Sequence, residues 1–179
     1  MEELTPRQIE DERMVNEAYQ HLVDTYMKSR HRGNVELINK AFNFAKQAHK
    51  GVRRLSGEPY IMHPIAVAQI ACEEIGLGST SICSALLHDV VEDTDYTLED
   101  LAAMGFGEPV IRALGLLTHD ASVEYMDYVR AIKEDPIAKA VKLADLRHNS
   151  DSSRMDVMTA RDLARQEKYR KAMALLEQE

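Results

Sequence analysis

The sequence predicts an all-α fold. Three observations carry that reading. Apolar residues recur at helical spacing from one end to the other, no stretch alternates apolar and polar residues as a half-buried strand does, and glycine or proline punctuates the chain between the periodic runs. A first helix is expected from about Pro6 to His31, stopped by Gly33. A second, Val35 to His49, puts Leu37, Ile38, Ala41, Phe42, Ala45 and Ala48 on one face and stops at Gly51. RRLSGEPYIMHP follows as a loop, marked by Gly57, Pro59 and Pro64. Pro64 suits the first position of a third helix, with His63 just before it, and IAVAQIACEEI runs on to Gly76 and Gly78.

The fourth helix, about Ser79 to Val91, is apolar on nearly every side, as a central helix covered all round must be. Thr97 caps a short helix whose Glu99 and Asp100 suit the positive end of its dipole, and GFG closes it. Further helices are expected over Pro109 to Leu117, Val123 to Lys133 and Pro136 to Asn149, the last capped by Asp135. A charged helix from about Thr159 to Leu176 ends the chain. Within the Pro136 helix, Ile137, Val141, Ala144 and His148 form one stripe, with Asp145 beside it.

At 179 residues the expectation is one domain, 1–179: an N-terminal helix over 1–32, a motif-bearing core over 33–155 and a C-terminal helix over 156–179. Hydrophobic residues at 45% and charged residues at 29% make a globular composition, with no apolar run of the eighteen or so residues that a membrane span needs. The acidic, polar start MEELTPRQIEDER lacks the basic-then-apolar pattern of a secretory signal, so the expected location is cytoplasmic. A net charge of −8 argues against nucleic acid or anionic membrane as partners. An anionic small substrate then needs local cations, for which Lys46, Lys50, Arg53, Arg54, Lys142 and Arg147 are candidates. Two cysteines, Cys72 and Cys83, lie in apolar helical contexts and read as buried thiols. Nothing in the sequence specifies an oligomeric state.

The most informative segment is HDVVEDTD, residues 88–95, which sets an imidazole and four carboxylates at the end of an apolar helix. Burying such groups without partners is costly, and a divalent cation is the simplest partner for mixed imidazole and carboxylate donors. His63 and Asp145 are placed to reach the same point. Each also has a plainer account, His63 as a helix cap and Asp145 as the partner of a nearby arginine. The other histidines, His21, His31, His49, His119 and His148, read as surface or helix-end positions.

Four segments taken together resemble a known family. SGEPYIMHPIAVAQI from Ser56, ALLHDVVEDTDYTLEDL from Ala85, the FG at Phe106 and Gly107, and VKLADLRHN from Val141 follow the order seen in HD-superfamily phosphohydrolases. The closer similarity is to the hydrolase domain of RelA/SpoT-type proteins, which degrade the alarmone ppGpp. The resemblance implies an HD-domain helical bundle around a central metal site, with manganese held by His63, His88, Asp89 and Asp145. It also implies that Glu92 and Asp93 handle the catalytic water, either directly or by holding the ligands, and that Arg54, Ser56, Tyr60, Lys142 and Asn149 border the nucleotide. The activity implied is removal of the 3′-pyrophosphate of ppGpp or pppGpp, giving GDP or GTP. The alternatives are another nucleotide substrate, such as an adenosine alarmone, or a catalytically silent nucleotide-binding module. The chain has no room for the synthetase domain of bifunctional members, so synthesis is not expected.

Two departures stand out. Leu55 follows Arg54 where the family has a lysine, and ADLRHN replaces ADRLHN, moving the arginine by one position and about a hundred degrees around a helix.

Overall fold

A computed structural model describes residues 2–30, 32–33, 35–75, 78–150 and 159–178. Among them the elements are helices α1 (Pro6–Lys28), α2 (Glu36–Ala48), α3 (Met62–Ile70), α4 (Ser79–Leu87), α5 (Val90–Asp93), α6 (Leu98–Ala103), α7 (Glu108–Leu117), α8 (Tyr125–Ile132), α9 (Pro136–Ser150) and α10 (Ala160–Glu177). A wider turn of helix, Ala71–Ile75, continues α3. The all-helical expectation is met: the described residues contain no strand, only an isolated antiparallel bridge between Arg53 and Pro59.

Helix α4 is the hub and packs against α2, α3, α7 and α9. Ile82, Cys83, Ala85, Leu86 and Leu87 are fully buried there, which explains why its sequence has no polar face. Ile38, Leu114 and Leu146 are fully buried on α2, α7 and α9, which pack against it, and Leu22, Leu101 and Ile132 are fully buried on α1, α6 and α8. Each fully buried side chain of this size contributes roughly 1.5–3 kcal/mol of transfer free energy. Cys72 and Cys83 are buried thiols, as expected, and burial pushes Cys83 up to about 12, where it stays protonated.

Several helix ends differ from the sequence reading for local reasons. α1 ends at Lys28 rather than His31, because Ser29 turns its backbone N–H and its hydroxyl back to the Tyr26 carbonyl. α3 begins at Met62, so His63 and Pro64 lie inside its first turn, where a missing N–H is tolerated. The run expected from Ser79 to Val91 is broken at His88 and Asp89 and resumes as α5. There the Ala85 carbonyl accepts from the His88 backbone N–H and lies 2.6 Å from His88 Nδ1, so side chain competes with backbone for the same acceptor. α8 starts at Tyr125 instead of Val123, capped by Glu124. The Asp135 cap of α9 and the Thr97 cap of α6 stand as expected, and Thr159 caps α10. His31, Gly76 and the expected boundary between 155 and 156 lie outside the described residues.

The loop before α3 is held as a tight unit. Arg54 N–H donates to the Glu58 carbonyl at 2.9 Å, and Tyr60 N–H to that of Val52 at 2.8 Å. Gly57 turns the corner at φ +95°, a conformation that favours glycine. Its carbonyl accepts from Arg53 Nη1 at 2.6 Å.

Candidate metal centre

α3, the break after α4, and α9 deliver one side chain each to a common point. His63 Nε2 lies 2.8 Å and His88 Nε2 3.3 Å from Asp145 Oδ1. One ligand atom from each of the three residues falls within 4.8 Å of the others. The Asp89 carboxylate closes the group at 3.1 Å from His88 Nε2 and 3.7 Å from His63 Nε2. His63, His88 and Asp145 are buried, at 2%, 4% and 5% exposure, so these charges and dipoles meet away from bulk water.

The outward atoms of the cluster are held as well. His88 Nδ1 sits against the Ala85 carbonyl, and His63 Nδ1 lies 2.7 Å from His148 Nδ1. The Tyr60 hydroxyl donates to Asp89 Oδ2 at 2.6 Å. Asp145 accepts from Asn149 Nδ2 on one oxygen and from the Lys142 ammonium on the other, both at 3.1 Å. With both Nδ1 atoms engaged elsewhere, both Nε2 atoms turn towards the carboxylates. That donor set of imidazole nitrogens and carboxylate oxygens fits a divalent transition metal.

Electrostatics follow from this crowding. Burial works against charge on Asp145, yet Lys142, His63 and His88 outweigh it and hold the carboxyl well below its ordinary range. Burial also opposes ionisation of Asp89, but His88 holds it at about 2. Lys142 is raised, because Asp145 more than offsets its loss of solvation. His63 is lowered, mainly by burial, and is therefore neutral near pH 7. Glu92 and Asp93 behave in the opposite way to the ligand carboxylates: burial and then the Asp89 charge raise both.

The remaining residues singled out in the sequence divide into two groups. Glu92 and Asp93 stand on α5, one turn beyond His88, at the exposed edge of the cluster. Arg54 Nη2 donates to Asn149 Oδ1 at 3.1 Å, joining the loop to α9 at the same rim. Ser56 bonds within its own turn, to Glu58 at 3.0 Å. Tyr60 and Lys142, expected beside the nucleotide, are engaged with the cluster's own carboxylates. The ADLRHN variation is resolved simply: Leu146 is fully buried and Arg147 faces outwards.

Two histidines read as peripheral lie in or against the site. His148 stacks on His63 with ring centroids 4.9 Å apart, and its stripe position on α9, three residues from Asp145, was the signal for it. His49 is buried at the end of α2, its ring 4.8 Å from that of Tyr60. His21 is exposed, as expected.

The HD domain family model matches residues 41–175, spanning α2 to α10 and every residue of the cluster. The chain belongs to the HD domain family. Among the relatives of this HD domain is a probable GTP pyrophosphokinase of Mycobacterium leprae, 36% identical over 157 residues, which are 82% of this chain and 19% of the relative. Another is the guanosine-3′,5′-bis(diphosphate) 3′-pyrophosphohydrolase of Aquifex aeolicus, 37% identical over 63% of this chain and 17% of that protein. The bifunctional (p)ppGpp synthase/hydrolase SpoT of Escherichia coli K12 is 33% identical over 74% of this chain and 20% of its own length. The HD domain described here thus spans about a fifth of the length of these curated relatives. Among solved structures, a metazoan SpoT ortholog that hydrolyses ppGpp matches with a TM-score of 0.67 and 27% identity, over 81% of this chain and 88% of that one. No helix among the described residues is long and apolar enough to cross a membrane.

Proposed function

We propose that this HD domain is a metal-dependent phosphohydrolase that removes the 3′-pyrophosphate of guanosine 3′,5′-polyphosphates, yielding GDP or GTP and pyrophosphate. The observation that carries the reading is the convergence of His63 Nε2, His88 Nε2 and Asp145 Oδ1, beside a second pair of carboxylates held in a different electrostatic state. Relatives named for ppGpp hydrolysis, and a structural neighbour that performs it, support the substrate. The same reading makes the protein cytoplasmic and its domain a single unit over residues 1–179, with a small nucleotide rather than nucleic acid or membrane as its partner.

His63, His88, Asp89 and Asp145 would hold the ion, with manganese proposed from the family resemblance and the mixed nitrogen and oxygen donors. When bound, such an ion supplies Lewis acidity, making water more acidic near neutral pH and offsetting charge on phosphoryl oxygens. The protein's residues do the rest. Glu92, raised above an ordinary carboxylate, accepts a proton from the attacking water, and Asp93 orients that water. Arg54, Asn149 and Ser56 border the nucleotide at the rim, where the Arg54 charge meets the substrate's phosphates. Tyr60 and Lys142 would border the nucleotide from behind these residues, while holding the Asp89 and Asp145 carboxylates in place.

A second reading keeps the chemistry and changes the base. Leu55 follows Arg54 at the loop tip with its side chain wholly exposed, and puts an apolar group where the family resemblance expects an ammonium. That leaves room for an adenosine alarmone as substrate.

The deciding experiment incubates manganese-loaded protein with ppGpp and with its adenosine counterpart, resolves the products by ion-exchange chromatography, and repeats each reaction with a chelator. Chelator-sensitive release of pyrophosphate from ppGpp is expected, and Asp89→Ala abolishes it. Inertness towards ppGpp with turnover of the adenosine compound would favour the second reading. Wild-type turnover by Asp89→Ala would overturn the site.

A further inference from the structure

Asn149 bridges two groups of opposite hydrogen-bonding character. Its Oδ1 accepts from Arg54 Nη2 at 3.1 Å, and its Nδ2 donates to Asp145 Oδ1 at 3.1 Å. A guanidinium carries donors only, so the amide oxygen must face Arg54. That turns the NH2 end towards Asp145 Oδ1, the same atom that His63 Nε2 and His88 Nε2 approach. The direction of the amide is therefore set by a residue 95 positions away in the chain, on the loop before α3. That loop is a firm anchor. Arg54 N–H donates to the Glu58 carbonyl and Gly57 N–H to the Arg54 carbonyl, both at 2.9 Å, and the Arg54 side chain is only 17% exposed.

From this geometry we infer that Asn149 is a positioning residue of the metal centre, passing the anchorage of the Arg54 guanidinium on to Asp145, so that the loop before α3 tunes the affinity of the centre for a cation. This role goes beyond bordering the nucleotide. Asn149 and Asp145 lie one turn apart on α9, which brings the two side chains together but does not orient the amide. The terminal torsion of an asparagine is broad and roughly two-fold, so the helix alone leaves it free to turn. Arg54 removes that freedom, and Nδ2 stays on the carboxylate oxygen where the imidazoles converge. Other side chains of similar size cannot make the bridge. An aspartate at 149 would accept from Arg54 but set carboxylate against carboxylate, and a leucine would make neither bond. Outer partners that orient a ligating carboxylate raise the affinity of a metal site. Bare electrostatics predict the opposite for Arg54, because a guanidinium repels a cation bound nearby. The two effects of Arg54 thus differ in sign, and only one of them runs through Asn149.

The inference rests on the metal-centre reading, and its test separates the two. Manganese affinity is measured by titration calorimetry for the wild type, Arg54→Lys and Arg54→Met, each with Asn149 in place and again with Asn149→Ala. Lysine keeps the charge and a donor, and methionine keeps neither. With Asn149 in place, Arg54→Met is expected to bind manganese at least about twofold more weakly than Arg54→Lys, the lower end of the coupling between residues of one network. Asn149→Ala alone is expected to bind about 10- to 100-fold more weakly than the wild type. In that background the deficit of Arg54→Met against Arg54→Lys is expected to disappear, because only the charge difference is left. Tighter binding by Arg54→Met with Asn149 in place would overturn the inference, since charge alone would then account for Arg54. So would a deficit of the same size in both backgrounds, the result of Arg54 merely holding the loop. The first comparison alone decides the sign if Asn149→Ala does not fold. A wild-type protein that binds no manganese would instead defeat the metal-centre reading, and this inference with it.

Discussion

The Tyr60 hydroxyl donates to Asp89 Oδ2 at 2.6 Å, tying the loop before α3 to the carboxylate that follows α4. Burial and the nearby acidic charges raise the phenol well above its ordinary value, so it remains a donor across the working pH range. Its ring also packs against His49 and His63, at centroid distances of 4.8 and 5.9 Å. Tyr60→Phe keeps that packing and removes only the bond. The expected stability change is about 0.5–1.5 kcal/mol, while manganese affinity falls about 10- to 100-fold. Thermal melts beside calorimetric titration would check the pair of values. An unchanged affinity would mean that Asp89 needs no help in holding its orientation.

Glu92 and Asp93 give a pH dependence with a definite sign. Burial raises both, followed by the Asp89 charge and, for Glu92, the Asp93 charge. A general base works only when deprotonated, so kcat/KM should be lost as pH falls through the raised value, with the acid limb above the ordinary carboxylate value of 4.5. Rates measured at saturating manganese at every pH separate this from loss of the ion. Glu92→Gln should lower kcat about 10²- to 10⁴-fold with metal binding retained. If activity falls because the metal is lost, Glu92 supports the ligands and another group is the base.

Lys142 and Asp145 form a buried ion pair at 3.1 Å, on one face of α9 and one turn apart. Removing one member of such a pair leaves a buried charge uncompensated, at a cost of about 3–5 kcal/mol. Lys142→Met should therefore lower the Tm of the metal-free protein markedly. A divalent ion supplies the missing positive charge, so manganese should raise the Tm of this variant more than that of the wild type. Equal gains would indicate that the ion and the ammonium do not share the Asp145 charge.

The architecture was legible in the sequence because helical periodicity is a long-range signal. The all-round apolar character of 79–87 pointed to the central helix, and the caps at Thr97 and Asp135 were read from single residues. The end of that helix was not. Ser79 to Val91 reads as one helix until the His88 side chain is known to take up the Ala85 carbonyl, a competition that leaves no trace in periodicity. The four residues around the candidate ion stood out because a charged or imidazole group on an apolar face is costly unless partnered. Their outer partners were harder to read. His148 shared the apolar stripe of its helix, which was a signal, whereas His49 occupies an ordinary helix-end position, and the packing of α9 and α2 around α4 brings them to His63 and Tyr60. Lys142 was singled out as a cation beside the nucleotide, and its spacing of three residues from Asp145 on the expected helix was the signal for the ion pair.

Leu55 supplies the prediction that bears most on substrate choice. Its side chain is wholly exposed, so it contributes nothing to the core, and Leu55→Lys should change stability by no more than about 0.5 kcal/mol. The residue sits beside Arg54, which reaches Asn149 at the rim of the cluster. An ammonium at 55 would add a solvent-screened attraction for a polyphosphate, worth about 0.2–1 kcal/mol. That corresponds to a KM for ppGpp lower by up to about fivefold. Because the attraction acts on bound substrate and transition state alike, kcat should stay the same. Running the guanosine and adenosine substrates side by side makes the result more specific. Equal gains for both would assign the loop to phosphate, and a gain for ppGpp alone would assign it to the base. A KM that moves for neither would put the loop tip away from the nucleotide and remove the argument that Leu55 widens the choice of base.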